Sequence, residues 1–366
     1  MNRKLDIRYY FSDMKDPRIE RCKLHLLEDI VFISIASVLS GAESWNDMEM
    51  YGKQKKEWLA GILSLPHGIP SHDTFNRFFA ALDPREFESC FIKWVRSVRK
   101  QIKGEVISID GKTMRGSKNR GFKTSTHIIS AWASENEAIL GQIKVDQKSN
   151  EITAIPELLD ALLLKGSIIT IDAMGCQKKI AKKIINKDAD YILAVKDNQK
   201  ELHQNLKESF RFLKTVDEYM DTDFGHGRIE NRKCSVISDL SMIDERENWE
   251  GMKTLVRIDS ERIMKATGEI EKETRLYISS LEPVAKKIGT SVREHWGIEN
   301  KVHWILDVAF NEDKSRKRKG AAAQNYSTLN RIALNILKKD NTKIGIRGKR
   351  LKAGWSNEFI LKLIDI

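Results

Sequence analysis

Apolar residues recur at helical spacing through the first hundred positions. Leu26, Leu27, Ile30, Val31, Ile33, Ile35, Val38 and Leu39 outline a heavily buried helix that Gly41 ends. Pro70-Ser71 followed by Asp73-Thr74 predicts an N-cap with an acidic first turn, on a helix running through Phe75, Phe78, Phe79 and Leu82. Asp83-Pro84 breaks it, and another helix follows through Phe87, Phe91 and Trp94. Residues 1–100 are therefore expected to form an all-helical N-terminal domain, accessory or DNA-binding in role. From Glu105 the period shortens to two. Val106–Ile109, Thr126–Ala133 and Ile139–Val145 read as strands of a meander, separated by Gly, Asn and Ser turns. Helical and strand patterns then alternate: a helix over Ile155–Leu164, a strand over Ser167–Asp172, a helix over Gln177–Asn186 and a strand over Tyr191–Val195. That alternation argues for an α/β fold with a mixed sheet. Three short, charge-alternating strands, Arg228–Val236, Thr254–Ser260 and Thr274–Ser279, read as a β-rich insertion at about 220–281. Helices resume at Pro283 and end near Lys339, closing a second unit at 101–340; residues 341–366 are expected to be a basic tail in which only Phe359, Ile360, Leu363 and Ile364 suggest packing.

The 366 residues are 41% hydrophobic and 31% charged, the balance of a globular chain, with a net charge of +11. From 311 to 366 there are 14 Lys+Arg against 5 Asp+Glu, so most of the excess lies at one end. A one-sided basic end points to a polyanion, nucleic acid before membrane. The longest apolar run, Ile30–Leu39, is half of what a membrane span needs, and no leader opens the chain. Cys22, Cys90, Cys176 and Cys234 are far apart and form neither a zinc motif nor a disulfide framework. A reduced, cytoplasmic and nucleoid-associated location is the expectation.

The chemistry starts at Val106-Ile-Ser-Ile-Asp-Gly-Lys-Thr-Met-Arg-Gly-Ser117. Gly111-Lys112-Thr113 looks like the end of a P-loop, but the required upstream glycine is Val106. The acid-phosphatase Asp-x-Asp pattern fails because position 112 is lysine. What remains is an apolar strand ending in Asp110 with a glycine turn after it. Asp172 repeats the pattern, behind Ile168-Ile-Thr-Ile171 and ahead of Ala173-Met-Gly175. Either aspartate could simply cap a turn. Two strands ending in Asp, neighbours in one sheet, would instead bring carboxylates within a few ångströms, and their repulsion of about 4 kcal/mol at 4 Å calls for a divalent cation. A third acid stands in Arg293–Trp304. On a helix, His295, Trp296, Val302, His303 and Leu306 share the face of Glu299. A structural ion-pair cluster is the alternative reading.

An ordered set of motifs is highly specific. Gly68-Ile-Pro-Ser-His-Asp-Thr-Phe75, Asp110–Ser117, Asn150–Pro156, Ile171–Gln177, Tyr191–Lys196 and His295-Trp-Gly-Ile-Glu-Asn300 together resemble the bacterial insertion-sequence transposases of the H-repeat-associated type, within the DDE superfamily. The resemblance implies a ribonuclease-H-like mixed sheet with flanking helices. It implies that Asp110, Asp172 and Glu299, 62 and 127 residues apart, are the catalytic and metal-holding carboxylates, the longer gap being filled by the β-rich insertion. It implies two Mg²⁺ ions, for which Mn²⁺ can substitute, and strand cleavage and strand transfer at terminal inverted repeats of double-stranded DNA by a homodimer. The Tyr, Arg and Lys that often surround the last acid in related enzymes are here Val292, His295 and Leu306, leaving His295 and His303 as substitutes. Lys112, Arg115, His295, Trp296, Asn300, His303, Arg316, Lys317, Arg318 and Lys319 are the expected DNA contacts, though a charge run can equally be a solvated face. A catalytically silent DNA-binding remnant, or another ribonuclease-H-like nuclease, are the alternatives.

Overall fold

The computed structural model describes residues 6–118, 125–145, 151–225 and 227–364. The amino-terminal region is helical: α1 (Ile7–Phe11), α2 (Leu27–Leu39), α3 (Trp45–Gln54), α4 (Lys56–Ala60), α5 (His72–Ala81) and α6 (Pro84–Val98). The caps follow local chemistry. Ser71 is the N-cap of α5, its side chain accepting from the Thr74 amide at 3.3 Å, and Asp73 is the acid of the first turn. Asp83 caps α6 with Pro84 at the first helical position, where a missing N–H costs nothing.

A nine-stranded mixed sheet follows, built from β1 (Val106–Met114), β2 (Thr126–Ala133), β3 (Ala138–Val145), β4 (Ile168–Ile171), β5 (Asp190–Val195), β6 (Asp217–Gly225), β7 (Arg228–Ile237), β8 (Thr254–Met264) and β9 (Ile270–Ser279). Their order is β3-β2-β1-β4-β5-β9-β8-β7-β6. The meander β1–β3 is antiparallel, β1, β4 and β5 are mutually parallel, and β9 returns antiparallel to β5. The β-rich segment joins this sheet through β9 and extends its edge as β8, β7 and β6. It begins at Asp217, in a strand whose outward positions include Met220 and Phe224 while Asp221 and Asp223 are half-buried, the reverse of the usual hydrophobic pattern.

Three helices connect these strands: α7 (Glu151–Ala161), α8 (Lys178–Ile185) and α9 (Lys200–Phe212). After the sheet come α10 (Ala285–His295), a π-helical turn (Glu299–His303), α11 (Trp304–Phe310) and α12 (Ala322–Lys339). Strand alternation splits the apolar residues between two faces. Ile107, Ile109, Ile169, Ile171 and Leu193 join one core that continues without a break into α2, α5, α6 and α12. Val106, Ile168, Ile192, Val236 and Val256 face the other way, covered by Ala285, Ile288 and Val292 of α10. Helix α12 is nearly all buried and holds a fully buried Arg331–Glu312 pair at 2.9 Å.

The carboxyl-terminal residues differ from the expected tail. They form α13 (Ile346–Trp355) and α14 (Asn357–Ile364). Lys349 and Arg350 are buried. Arg350 donates to the carbonyls of Val38 at 3.0 Å, Ala42 at 3.1 Å and Ala309. Val38 and Ala309 lie in the last turns of α2 and α11, so one guanidinium reaches carbonyls near two helix ends, the Val38 carbonyl also accepting the Gly41 amide at 3.2 Å. Charge that reads as solvated along the chain is spent inside it.

Candidate active site

The site lies where β1 outlasts its parallel neighbour. The two strands pair from Val106 beside Ile168 to Ile109 beside Ile171. There β4 ends in a 3₁₀ turn, Ala173–Gly175, while β1 continues to Met114 along β2. Asp110 and Asp172 are the next residues on their strands, level with each other where the strands part. Such a crevice beyond strand ends is where α/β sheets bind ligands. The glycine turn expected after Asp110 is absent, because β2 goes on supplying hydrogen-bonding partners after β4 has left. Gly111 is needed for room instead: a Cβ there would lie 2.4 Å from His127 Nε2 and 2.6 Å from Glu151 Oε1.

Asp172 Oδ1 accepts the amides of Met174 at 3.1 Å and Gly175 at 3.4 Å, so it does cap its turn. Its carboxyl is nevertheless raised, by burial and then by the charge of Glu151. Glu299 arrives from the opposite side. Helix α10 stops at His295, and the π turn inserts an extra residue, so that Val302 and His303 both point inward. π turns of this kind recur at functional sites. His303 Nδ1 lies 3.5 Å from Asp110 Oδ2 and 3.5 Å from Glu299 Oε2. Ligand atoms of Asp110, Glu299 and His303 all fall within 4.8 Å of one another.

Burial, then the neighbouring charges of Glu299 and Asp172, push Asp110 up to about 8. Glu299 goes the other way: the hydrogen bond and the charge of His303 hold it below the usual range against the opposing effect of its partial burial. One proton shared by this pair, resting on Asp110, relieves the crowding when nothing else does. Lys112 does not neutralise the cluster outright. Its ammonium binds Asp307 at 2.7 Å and Asp313 at 3.1 Å and is almost fully buried. A partly buried, under-compensated group of carboxylate oxygens with one imidazole nitrogen, open to solvent at Glu299, fits a hard divalent cation such as Mg²⁺ or Mn²⁺.

The expected DNA contacts divide into two groups. Arg115, Asn300, Arg316, Arg318 and Lys319 are exposed, and Arg318 donates to the Gly116 carbonyl at 3.1 Å, so the basic run lies along the Asp110–Ser117 segment. Trp296 is half-exposed with the Arg275 guanidinium 4.5 Å above its ring. The other four turn inward. Lys317 is buried over the Tyr326 ring and donates to the Glu43 carbonyl at 2.6 Å, so the run does not present all its charges to one side. Lys112 is the internal bridge just described. His295 binds Thr170 Oγ1 at 2.9 Å and is lowered to about 4 by burial. His303 sits between the two acids.

Thr113, His127 and Glu151 went unnoticed in the sequence. Thr113 Oγ1 and Glu151 Oε1 lie 2.8 Å and 2.7 Å from the two ring nitrogens of His127. The available signal was Glu151 inside a recognised motif, together with Thr113 and His127 at facing strand positions.

With fold and site in place, comparison with known proteins gives the family. The model of the transposase DDE domain matches residues 101–336, and that of the DDE_Tnp_1-associated region matches residues 8–95. The chain belongs to the DDE transposase family. Relatives within it include proteins named as H repeat-associated. "H repeat-associated putative transposase YhhI" of Escherichia coli (strain K12) is 42% identical over 352 residues, 93% of this chain and 92% of that protein. "Putative transposase YncI" of Escherichia coli O157:H7 is 41% identical over 364 residues, 97% of this chain and 93% of that protein. The mixed sheet with flanking helices and the helical amino-terminal region agree with this assignment. Family membership implies a DNA partner and divalent-metal chemistry, and among the described residues no helix is long and apolar enough to cross a membrane.

Proposed function

We propose that this transposase cleaves and joins DNA strands at the terminal inverted repeats of an insertion sequence, acting as a homodimer on paired ends. The observation that supports it most directly is the convergence of Asp110 and Glu299 with His303 beside Asp172, from three separate stretches of chain. Asp110, Asp172 and Glu299 would hold two divalent cations, Mg²⁺ or Mn²⁺. When bound, these supply a lowered pKa for a water or 3′-hydroxyl nucleophile and charge stabilisation for the leaving oxygen.

The protein's own groups position the rest. His303 holds Glu299 toward Asp110 through contacts of 3.5 Å on both sides. Arg115, Arg316, Arg318 and Lys319 carry the exposed charge beside the crevice and bind backbone phosphates, so that log K falls with log salt by about 0.9 per phosphate. Trp296 presents a face on which a base can stack, worth about 1–3 kcal/mol.

The test is a nicking and joining assay on plasmid carrying the element ends, in Mg²⁺ and in Mn²⁺. Asp110→Asn, Asp172→Asn and Glu299→Gln should each abolish strand cleavage while end binding, read by mobility shift, persists. Nicking by any of the three at the wild-type rate would refute the assignment.

A further inference from the structure

The Thr113–His127–Glu151 line is explained neither by packing nor by the three acids. Its place is set by two close approaches. Gly111, the neighbour of Asp110, lacks a side chain where His127 and Glu151 close over the strand. Glu151 opens α7, and Ile155 one turn later packs on the turn capped by Asp172: a Cβ on Gly175 would lie 3.1 Å from Ile155 Cδ1. The carboxylate of Glu151 therefore lies over the backbone beside Asp110, on a helix whose next turn packs against the turn at Asp172. His127 is anchored at its other nitrogen by Thr113, at 2.8 Å, and touches Oε1 of Glu151 at 2.7 Å. Carboxylates that bind metals are commonly oriented by such an outer partner.

We propose that Glu151, oriented by His127 and Thr113, is a fourth carboxylate of the divalent-cation site, serving the Asp172 side as Glu299 serves the Asp110 side. This rests on the metal-site reading above. Charge supports it, since two divalent cations carry four positive charges and the three recognised acids only three negative ones. A simple strand-to-helix ion pair would account for the hydrogen bond, but not for its seat over Gly111 and against the Asp172 turn.

The experiment is a Mn²⁺ titration of the full chain without DNA, followed by electron paramagnetic resonance of the free ion. Wild type, Asp110→Asn, Glu151→Gln and His127→Gln are compared, with thermal unfolding in chelator as a check on folding. Glu151→Gln should weaken Mn²⁺ binding at least tenfold, and His127→Gln should weaken it less. Glu151→Asp, which keeps the charge but draws it back, takes the place of Glu151→Gln if that variant does not fold, and should also weaken binding. Wild-type affinity in Glu151→Gln with loss in Asp110→Asn overturns this proposal and leaves the three-acid site standing. Wild-type affinity in both, or no binding by the wild type, overturns both.

Discussion

Replacing Gly111 with alanine places a methyl group 2.4 Å from His127 Nε2 and 2.6 Å from Glu151 Oε1. Ordinary contacts of that kind need roughly 3.4 Å, so each side chain must retreat by about 1 Å. Retreat breaks the bonds of His127 to Thr113 and to Glu151, each worth about 1 kcal/mol net. Both side chains are mainly buried, at 26% and 20% exposure, so water only partly replaces what is lost. Alanine recovers about 0.5–1 kcal/mol of the backbone entropy that glycine loses in a strand. The net expectation is a destabilisation of about 1–2 kcal/mol. It is read from urea unfolding of the full chain in chelator, with Gly111→Ala, His127→Ala and the double variant compared. Once the imidazole is gone the methyl group has most of its space, so the double variant should cost little more than His127→Ala alone. That is a coupling of about 1–2 kcal/mol. Costs that add to within about 0.5 kcal/mol would refute the account of why this position is glycine.

Lys112→Met should cost about 1–3 kcal/mol, because Asp307 and Asp313 lose a common partner while keeping partial access to water. DNA affinity and its salt slope should stay unchanged as strand cleavage slows; a slope shallower by about one unit would make Lys112 a phosphate contact instead. Arg350→Met should lower stability by about 1–3 kcal/mol in differential scanning calorimetry, since the Ala309 carbonyl loses the guanidinium while those of Val38 and Ala42 keep Gly41 and Tyr326 as donors, and an unchanged melting temperature would refute that role. Burial raises Glu88 from 4.5 to about 7. A raised carboxyl contributes stability that is complete below about 4.5 and lost as pH rises through about 7, here about 3 kcal/mol in all. Glu88→Gln should therefore make the fall of urea midpoints between pH 5 and pH 8 shallower, Asp110 supplying what remains, and a slope as steep as the wild type's would show that Glu88 does not contribute.

Legibility in the sequence followed how local each signal was. The run Val106–Ile109 and the run Ile168–Ile171 are continuous apolar stretches because the sheet buries both their faces, so strands and terminal aspartates could be read directly. The parallel register that sets Asp110 level with Asp172 is non-local, and so is the reach of β1 to Met114, which depends on β2. Glu299 and His303 were visible on one helical face, but the π turn changed which neighbours share it and left Trp296 outward. Strand β6 places Asp221 and Asp223 at half-buried positions and Met220 and Phe224 outward, so it has no buried apolar stripe to announce it. Lys317, Lys349 and Arg350 read as solvent charge, since nothing along the chain reports the backbone carbonyls that they meet inside the fold. Glu151 lay inside a recognised motif, but its partner His127 is 24 residues away, on strand β2 while Glu151 opens helix α7.

Arg350 also bears on the order in which the protein can mature. It meets carbonyls near the ends of helices begun at Leu27 and at Trp304, from positions 312 and 41 residues further along the chain. Helix α2 therefore leaves the ribosome long before the guanidinium that docks against its end. Glu299, of the proposed metal site, also follows Asp110 and Asp172 by more than a hundred residues. A translation product that stops before Glu299 would lack both that guanidinium and one of the proposed metal carboxylates. Such a fragment would be open to proteases, its amino-terminal helices still without their last partner.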